Sequence, residues 1–195
     1  MANYNAVKYD GFSKGALTLI KTLTASSSAT LSFVDGSSSV VLDSTYKEYL
    51  FIFNNIHPET DGANFSVGFR DGSTDYDATK TSTHFISAHN ETDSATQLSY
   101  ETGNDLAQGT GFQILGNVGS DNDQIGAGYL HLFNPSSTTF VKHFTSRFTY
   151  YSDGNYSVDG FIAGYCNVTA AIDAVQFKFS SGDIDAGTIQ LIGIT

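Results

Sequence analysis

Residues 47–56 read Lys47-Glu-Tyr-Leu-Phe-Ile-Phe-Asn-Asn-Ile56. The run is short, aromatic and bounded by polar residues, which is the composition of a buried β-strand. Working outward, the same signal recurs with a stricter period. In residues 29–34, Leu31 and Phe33 share one face while Thr30 and Ser32 share the other. In residues 64–70, Phe65, Val67 and Phe69 point inward. In residues 174–180, Val175, Phe177 and Phe179 alternate with Gln176 and Lys178. Period two with one polar face marks a half-solvated antiparallel strand. Residues 188–194 differ. Ile189 and Leu191 lie on one face, but Ile192 and Ile194 lie on the other, so this strand is expected to be buried on both sides.

Six further strands are expected over residues 17–23, 83–89, 112–115, 128–133, 140–150 and 161–165, about ten or eleven in all. Asp-Gly pairs punctuate them, at Asp35-Gly36, Asp61-Gly62, Asp71-Gly72, Asp153-Gly154 and Asp159-Gly160. Asp-Gly suits the positive φ of tight turns. No segment shows capped helical periodicity. Residues 93–108, polar and rich in Asp, Ser and Thr, read as a long loop or a single helical turn. Many short strands with frequent turns imply an all-β fold, an antiparallel β-sandwich of jelly-roll type. Residues 1–15 read as an N-terminal arm, and residues 16–195 as one sandwich domain.

Composition narrows the function. The chain has 195 residues, with nine Lys and Arg against twenty Asp and Glu, a net charge of −11. That balance argues against a phosphate backbone, so no nucleic-acid partner is expected. No apolar run is long enough for a spanning helix and no basic, apolar leader opens the chain, so neither a membrane partner nor secretion is expected. One Cys cannot form an intramolecular disulfide or a zinc ribbon. Charged residues are only 15% of the chain, against roughly 25% in a typical soluble domain. Ser, Thr, Asn, Gly and Tyr fill the difference, a surface suited to contact with another protein.

Candidate chemistry is sparse. Gly11-Phe-Ser-Lys-Gly15 matches the nucleophile-elbow string, but no buried strand precedes it and no helix follows, so a strand-linking turn is the better reading. Asp71, Ser73, Asp75 and Asp77 have the odd-position spacing of a calcium loop. The required Gly and terminal Glu are missing, and Asp121-Asn122-Asp123 also lacks the final carboxylate. No metal or other cofactor is therefore expected. His84 and His89, five apart, face opposite sides of one strand and cannot share an ion. Cys166 reads as a small buried apolar residue. The four Glu, at 48, 59, 91 and 101, show no acid–base pairing. With no grouping of nucleophile, base and orienting residue, the chain is expected to be non-enzymatic.

Three stretches carry a resemblance: Tyr46-Lys-Glu-Tyr-Leu-Phe-Ile-Phe-Asn-Asn-Ile-His-Pro58, His131-Leu-Phe-Asn-Pro-Ser-Ser-Thr138 and Gly187-Thr-Ile-Gln-Leu-Ile-Gly-Ile194. With residues 25–33 they resemble small virion structural proteins of marine tailed bacteriophages, of the cyanophage and pelagiphage type. The resemblance covers roughly residues 16–195. It implies a jelly-roll-like virion protein, made in the host bacterial cytoplasm, with no catalytic residues to carry over. The expected partners are other virion proteins of the capsid or tail and further copies of the chain, with a trimer as the expected oligomer. Without a shaft-forming repeat, capsid decoration is favoured over a tail or fibre component that binds a carbohydrate receptor. Tyr4, Tyr9 and Phe12, in a segment too short to fold alone, are the candidate anchor to the particle.

Overall fold

The period-two segments form strands because alternating side chains leave one apolar face to bury. The computed structural model describes residues 16–195. Tyr4, Tyr9, Phe12 and the Gly11–Gly15 string lie outside the described residues. Twelve strands follow in order: β1 Leu17–Thr24, β2 Leu31–Val34, β3 Glu48–Pro58, β4 Ala63–Arg70, β5 Lys80–Asn90 and β6 Thr96–Tyr100. The second half contains β7 Gln113–Val118, β8 Gly126–Phe133, β9 Lys142–Tyr151, β10 Tyr156–Cys166, β11 Ala174–Phe179 and β12 Ile184–Ile194.

All strand pairs are antiparallel, and eight of the strands nest. β4 pairs with β7, β3 with β8, β2 with β11 and β1 with β12. This is one long hairpin rolled up, the jelly roll, with the strand orders β1-β12-β3-β8 and β2-β11-β4-β7. Two inserted hairpins depart from the eight-strand plan. β5–β6 enters between β4 and β7, and β9–β10 between β8 and β11. Both join one sheet, which reads β1-β12-β3-β8-β9-β10-β5-β6, while the other keeps four strands. The insertions thus double the width of one sheet.

Aromatic side chains fill the space between the sheets. Phe177 on β11 lies 5.2 Å from Phe53, 5.5 Å from Phe51, 5.9 Å from Phe65 and 6.3 Å from Phe33, measured between ring centroids. Phe148 on β9 extends the cluster, 5.3 Å from Phe65 and 5.9 Å from Phe53. All six rings are buried. Burying each contributes about 1.5–3 kcal/mol relative to exposure. The outer face of the four-stranded sheet is polar, as alternation requires: Ser66, Gln176 and Lys178 lie opposite the buried Phe65, Val175 and Phe177.

Three local expectations need correcting. Residues 93–108 are not merely loop, because Thr96–Tyr100 pairs with β5 as strand β6 and raises the strand count to twelve. Polar residues suffice there because β6 is an edge strand whose residues are largely exposed. Asp159-Gly160 is no turn but lies inside β10. Gly160 suits a close approach: a Cβ would stand 3.2 Å from the Leu115 carbonyl oxygen and 3.4 Å from His84 Nε2, so these neighbours would have to give by a few tenths of an ångström. Finally, β12 is buried on one side only. Ile189 and Leu191 are buried, while Gln190, Ile192 and Ile194 remain half-buried on the outer face.

Candidate functional site

Residues opposite one another in neighbouring strands point to the same side of a sheet, so the register maps the outer face of the eight-stranded sheet. One row runs Leu19, Ile192, Leu50, His131, Thr145 and Ala163, ending at Thr83. The next runs Ile52, Tyr129, Arg147, Phe161, Phe85 and Tyr100. The half built on β1, β12 and β3 is therefore aliphatic, and the half built mainly on the inserted hairpins is aromatic.

This face gathers the chain's exposed apolar groups. Among the described residues, seven large apolar side chains are exposed, and six of them lie here. They are Leu17, Leu19, Phe85, Leu98, Tyr100 and Tyr129; the seventh, Phe140, lies in the β8–β9 connection. Exposure reaches 60% at Leu17 and 79% at Leu98, so these residues belong to no part of the core.

The aromatic row forms a ridge. Phe85 and Phe161 stack at 4.9 Å with their planes 5° apart, and the Arg147 guanidinium lies 4.9 Å from the Phe161 ring centre. Arg147 is fixed from behind by Asp159, with Nη2 donating to Oδ2 at 2.6 Å and Nε to Oδ1 at 3.0 Å. That hydrogen-bonded carboxylate holds the guanidinium above its ordinary pKa. Beside the ridge the row of Thr145, Ala163 and Thr83 carries only small side chains. The result is a trench of about 310 Å³ crossing the strands, with Phe85, Phe161 and Arg147 as one wall.

The face is sparsely charged. Its strands present four formally charged side chains, Glu48, Arg147, Asp159 and Asp185. Glu48 Oε2 lies 2.9 Å from His131 Nε2 and Asp185 Oδ2 lies 3.6 Å from His57 Nδ1, so with Asp159 beside Arg147 each of the three acids has a partner. The acidity sits instead at the strand ends, in loops containing Asp35, Asp61, Asp71, Asp121, Asp153 and Asp183.

The other sequence candidates are dispersed. Among the described residues, no three His, Cys, Asp or Glu side chains are grouped as a metal ion requires. His84 points into the core and His89 outward, as their spacing demands. Glu59 accepts from the Asp183 backbone and Glu101 is bonded to Ser99, well apart in the fold. Cys166 is buried, as expected, but its surroundings were not legible. Its register partners are Lys80 and Lys142, both fully buried. Lys142 Nζ donates to the Val168 and Ala170 carbonyls, and Lys80 Nζ to that of Ala78. Two neighbouring ammonium groups favour a thiolate, yet burial dominates and pushes the Cys166 thiol up to about 12.

His84 is the most constrained titratable group. It is fully buried, and neither ring nitrogen has a hydrogen-bond partner among the described residues. Desolvation lowers its pKa below 6.5, and the charges of Glu101 and Asp105 oppose this only in part. The unfolded chain therefore binds this proton more readily, so stability is complete above about pH 6.5 and declines as pH falls through the folded-state value. Urea unfolding between about pH 7.5 and 5 is expected to show this decline, limited for one proton to about 1.4 kcal/mol per pH unit. His84→Leu is expected to flatten it, and an unchanged slope in that variant would exclude His84 as its source.

Compared with family models, curated proteins and solved structures, the chain matches none.

Proposed function

We propose that this chain is a non-enzymatic structural protein of a bacteriophage virion, displayed on the particle as capsid decoration and assembled as a homo-oligomer in the bacterial cytoplasm. The observation that carries the reading is the outer sheet face, where six of the seven exposed large apolar side chains among the described residues collect. Such a surface does its work by adhesion: apolar burial between subunits, with Tyr and Arg at its centre. The worded resemblance of residues 46–58, 131–138 and 187–194 to virion proteins of marine tailed phages supports the setting. The jelly roll, with its single Cys buried, suits a particle exposed to oxidants.

A second reading, a tail or fibre component that binds carbohydrate, is favoured by one feature, the trench of about 310 Å³ beside the aromatic ridge. Its Thr hydroxyls and ring edges suit a sugar chain. Reconstruction of purified particles, joined to a glycan array, separates the two. Density at regular positions on the head without glycan binding is the expected result. Density at fibre tips with glycan binding would replace decoration by the second reading, and absence from the particle would overturn both. Within the same experiment, deletion of residues 1–14 is expected to abolish incorporation while the sandwich stays folded. Normal incorporation of that variant would remove the anchor role of Tyr4, Tyr9 and Phe12.

A further inference from the structure

We infer that the occupant of the outer face is a second copy of this chain, held face to face across a two-fold axis. The inference rests on the reading of this face as the docking surface and adds the identity of its partner.

Charge selects the partner first. Two bodies of net charge −11 repel wherever their acidic loops meet. The outer sheet face is where that repulsion is least, because it carries only four charged side chains, one Arg and three acids, and each acid already has a partner in Arg147, His131 or His57. The acidic loops lie at the strand ends, on the rim, where water and salt screen them within about 8–10 Å. A basic partner would find only acids that are already paired within the face. A sparsely charged copy of the same face meets far less repulsion than one acidic loop meeting another.

Area points the same way. Eight strands about 4.8 Å apart span roughly 34 Å, and four outward-facing rows along the strands span roughly 20 Å. The product, about 700 Å², lies within the roughly 600–1,000 Å² that each partner buries in a stable protein–protein interface. The face is therefore large enough for a complete interface by itself.

Shape supplies the register. The ridge of Tyr129, Arg147, Phe161 and Phe85 stands beside the trench floored by Thr145, Ala163 and Thr83. A two-fold axis in the plane of contact seats each ridge in the other copy's trench. Such an interface uses the same patch on both subunits and closes at two copies. A ring of three would require two different patches, and the exposed apolar side chains form one. The dimer thus takes the place of the trimer expected from the sequence.

The test is the mass of the full chain in solution, measured by fluorescence-detected analytical ultracentrifugation between about 1 nM and 100 μM, a range low enough to show a tenfold weakening of a nanomolar dimer. A dimer of twice 20.9 kDa is expected. Leu19→Glu and Phe85→Glu, at opposite ends of the face, are each expected to weaken dimerisation at least tenfold with the melting temperature held within a few degrees. Phe140→Glu, exposed but outside the sheet, is expected to leave the dimer intact. A monomer throughout that range, a trimer, or a dimer indifferent to both face substitutions overturns the inference. Its failure is separable from failure of the virion reading. A monomer that still enters particles defeats only the dimer, and a dimer absent from particles defeats only the virion assignment.

Discussion

Replacing Phe177 by alanine is expected to cost about 3–5 kcal/mol of folding stability, the range for a large buried aromatic cut to a methyl. The ring projects from the four-stranded sheet and meets Phe51 and Phe53 of the opposing sheet at 5.5 and 5.2 Å. It also meets Phe33 and Phe65 of its own sheet, so its removal leaves a cavity walled by four rings that are themselves fixed. Relaxation is limited because each of those rings has further partners, such as Phe148 against Phe65. In a chain of this size the melting temperature should fall by about 10 °C. The check is a shift in urea midpoint with the slope unchanged. A loss under about 1.5 kcal/mol would mean that the two sheets are not held by this cluster. Phe85→Ala, at a ring 42% exposed, should cost much less in stability.

Gly128→Val is expected to destabilise the fold by about 3 kcal/mol or more, with loss of soluble protein as the first sign. Gly128 sits in β8 between Phe53 of β3 and Phe148 of β9, where the original jelly roll joins the inserted hairpin. Its φ of +152° is one that side chains rarely adopt, and an added Cβ would fall 2.1 Å from the Arg147 carbonyl oxygen. That obstacle is backbone, so it moves only if the β8–β9 ladder opens. The strain is also placed where it disturbs function, since Tyr129 and Arg147, its immediate neighbours along and across the strands, form the ridge. A variant melting within a few degrees of the parent chain would show that β8 and β9 tolerate separation, and the eight-stranded sheet would then be less rigid than its register implies.

Much of the fold was legible because alternation is a local property. Residues 64–70 and 174–180 show their buried faces directly, and Phe65 and Phe177 are buried where period two places them. The Asp-Gly pairs were legible for the same reason at Gly36, Gly62 and Gly72, each with positive φ. They misled at Gly160, which lies inside a strand and packs closely against Leu115 on the other sheet, more than forty residues away. Strand β6 escaped notice because an edge strand is recognised by its pairing and not by its composition.

The docking face was half legible. Residues 188–194 are apolar on both sides, and the natural inference from that pattern is burial on both sides. The structure leaves Ile192 and Ile194 half-buried on the outside, beside the exposed Leu17 and Leu19. The pattern was a signal of contact, and only the sheet order shows that no other part of the described chain makes that contact. The ridge gave no comparable signal. Phe85, Tyr129, Arg147 and Phe161 are scattered over 77 residues of sequence, and single aromatics on outward positions are ordinary. Likewise, nothing near Cys166 in sequence announced Lys80 or Lys142.

By itself, the sequence determined the class of the fold, the inward faces of its main strands, the acidity of its turns and the absence of cysteine pairs. Each of these follows from residue types and short spacings, which act over a few residues. Tertiary structure alone decided that two hairpins inserted into a jelly roll widen one sheet to eight strands. It also decided that aromatic, aliphatic and paired charged groups from eight strands meet on one outer face. Strand pairing joins residues through backbone hydrogen bonds that every sequence can make, so which strands become neighbours depends on how the whole core closes.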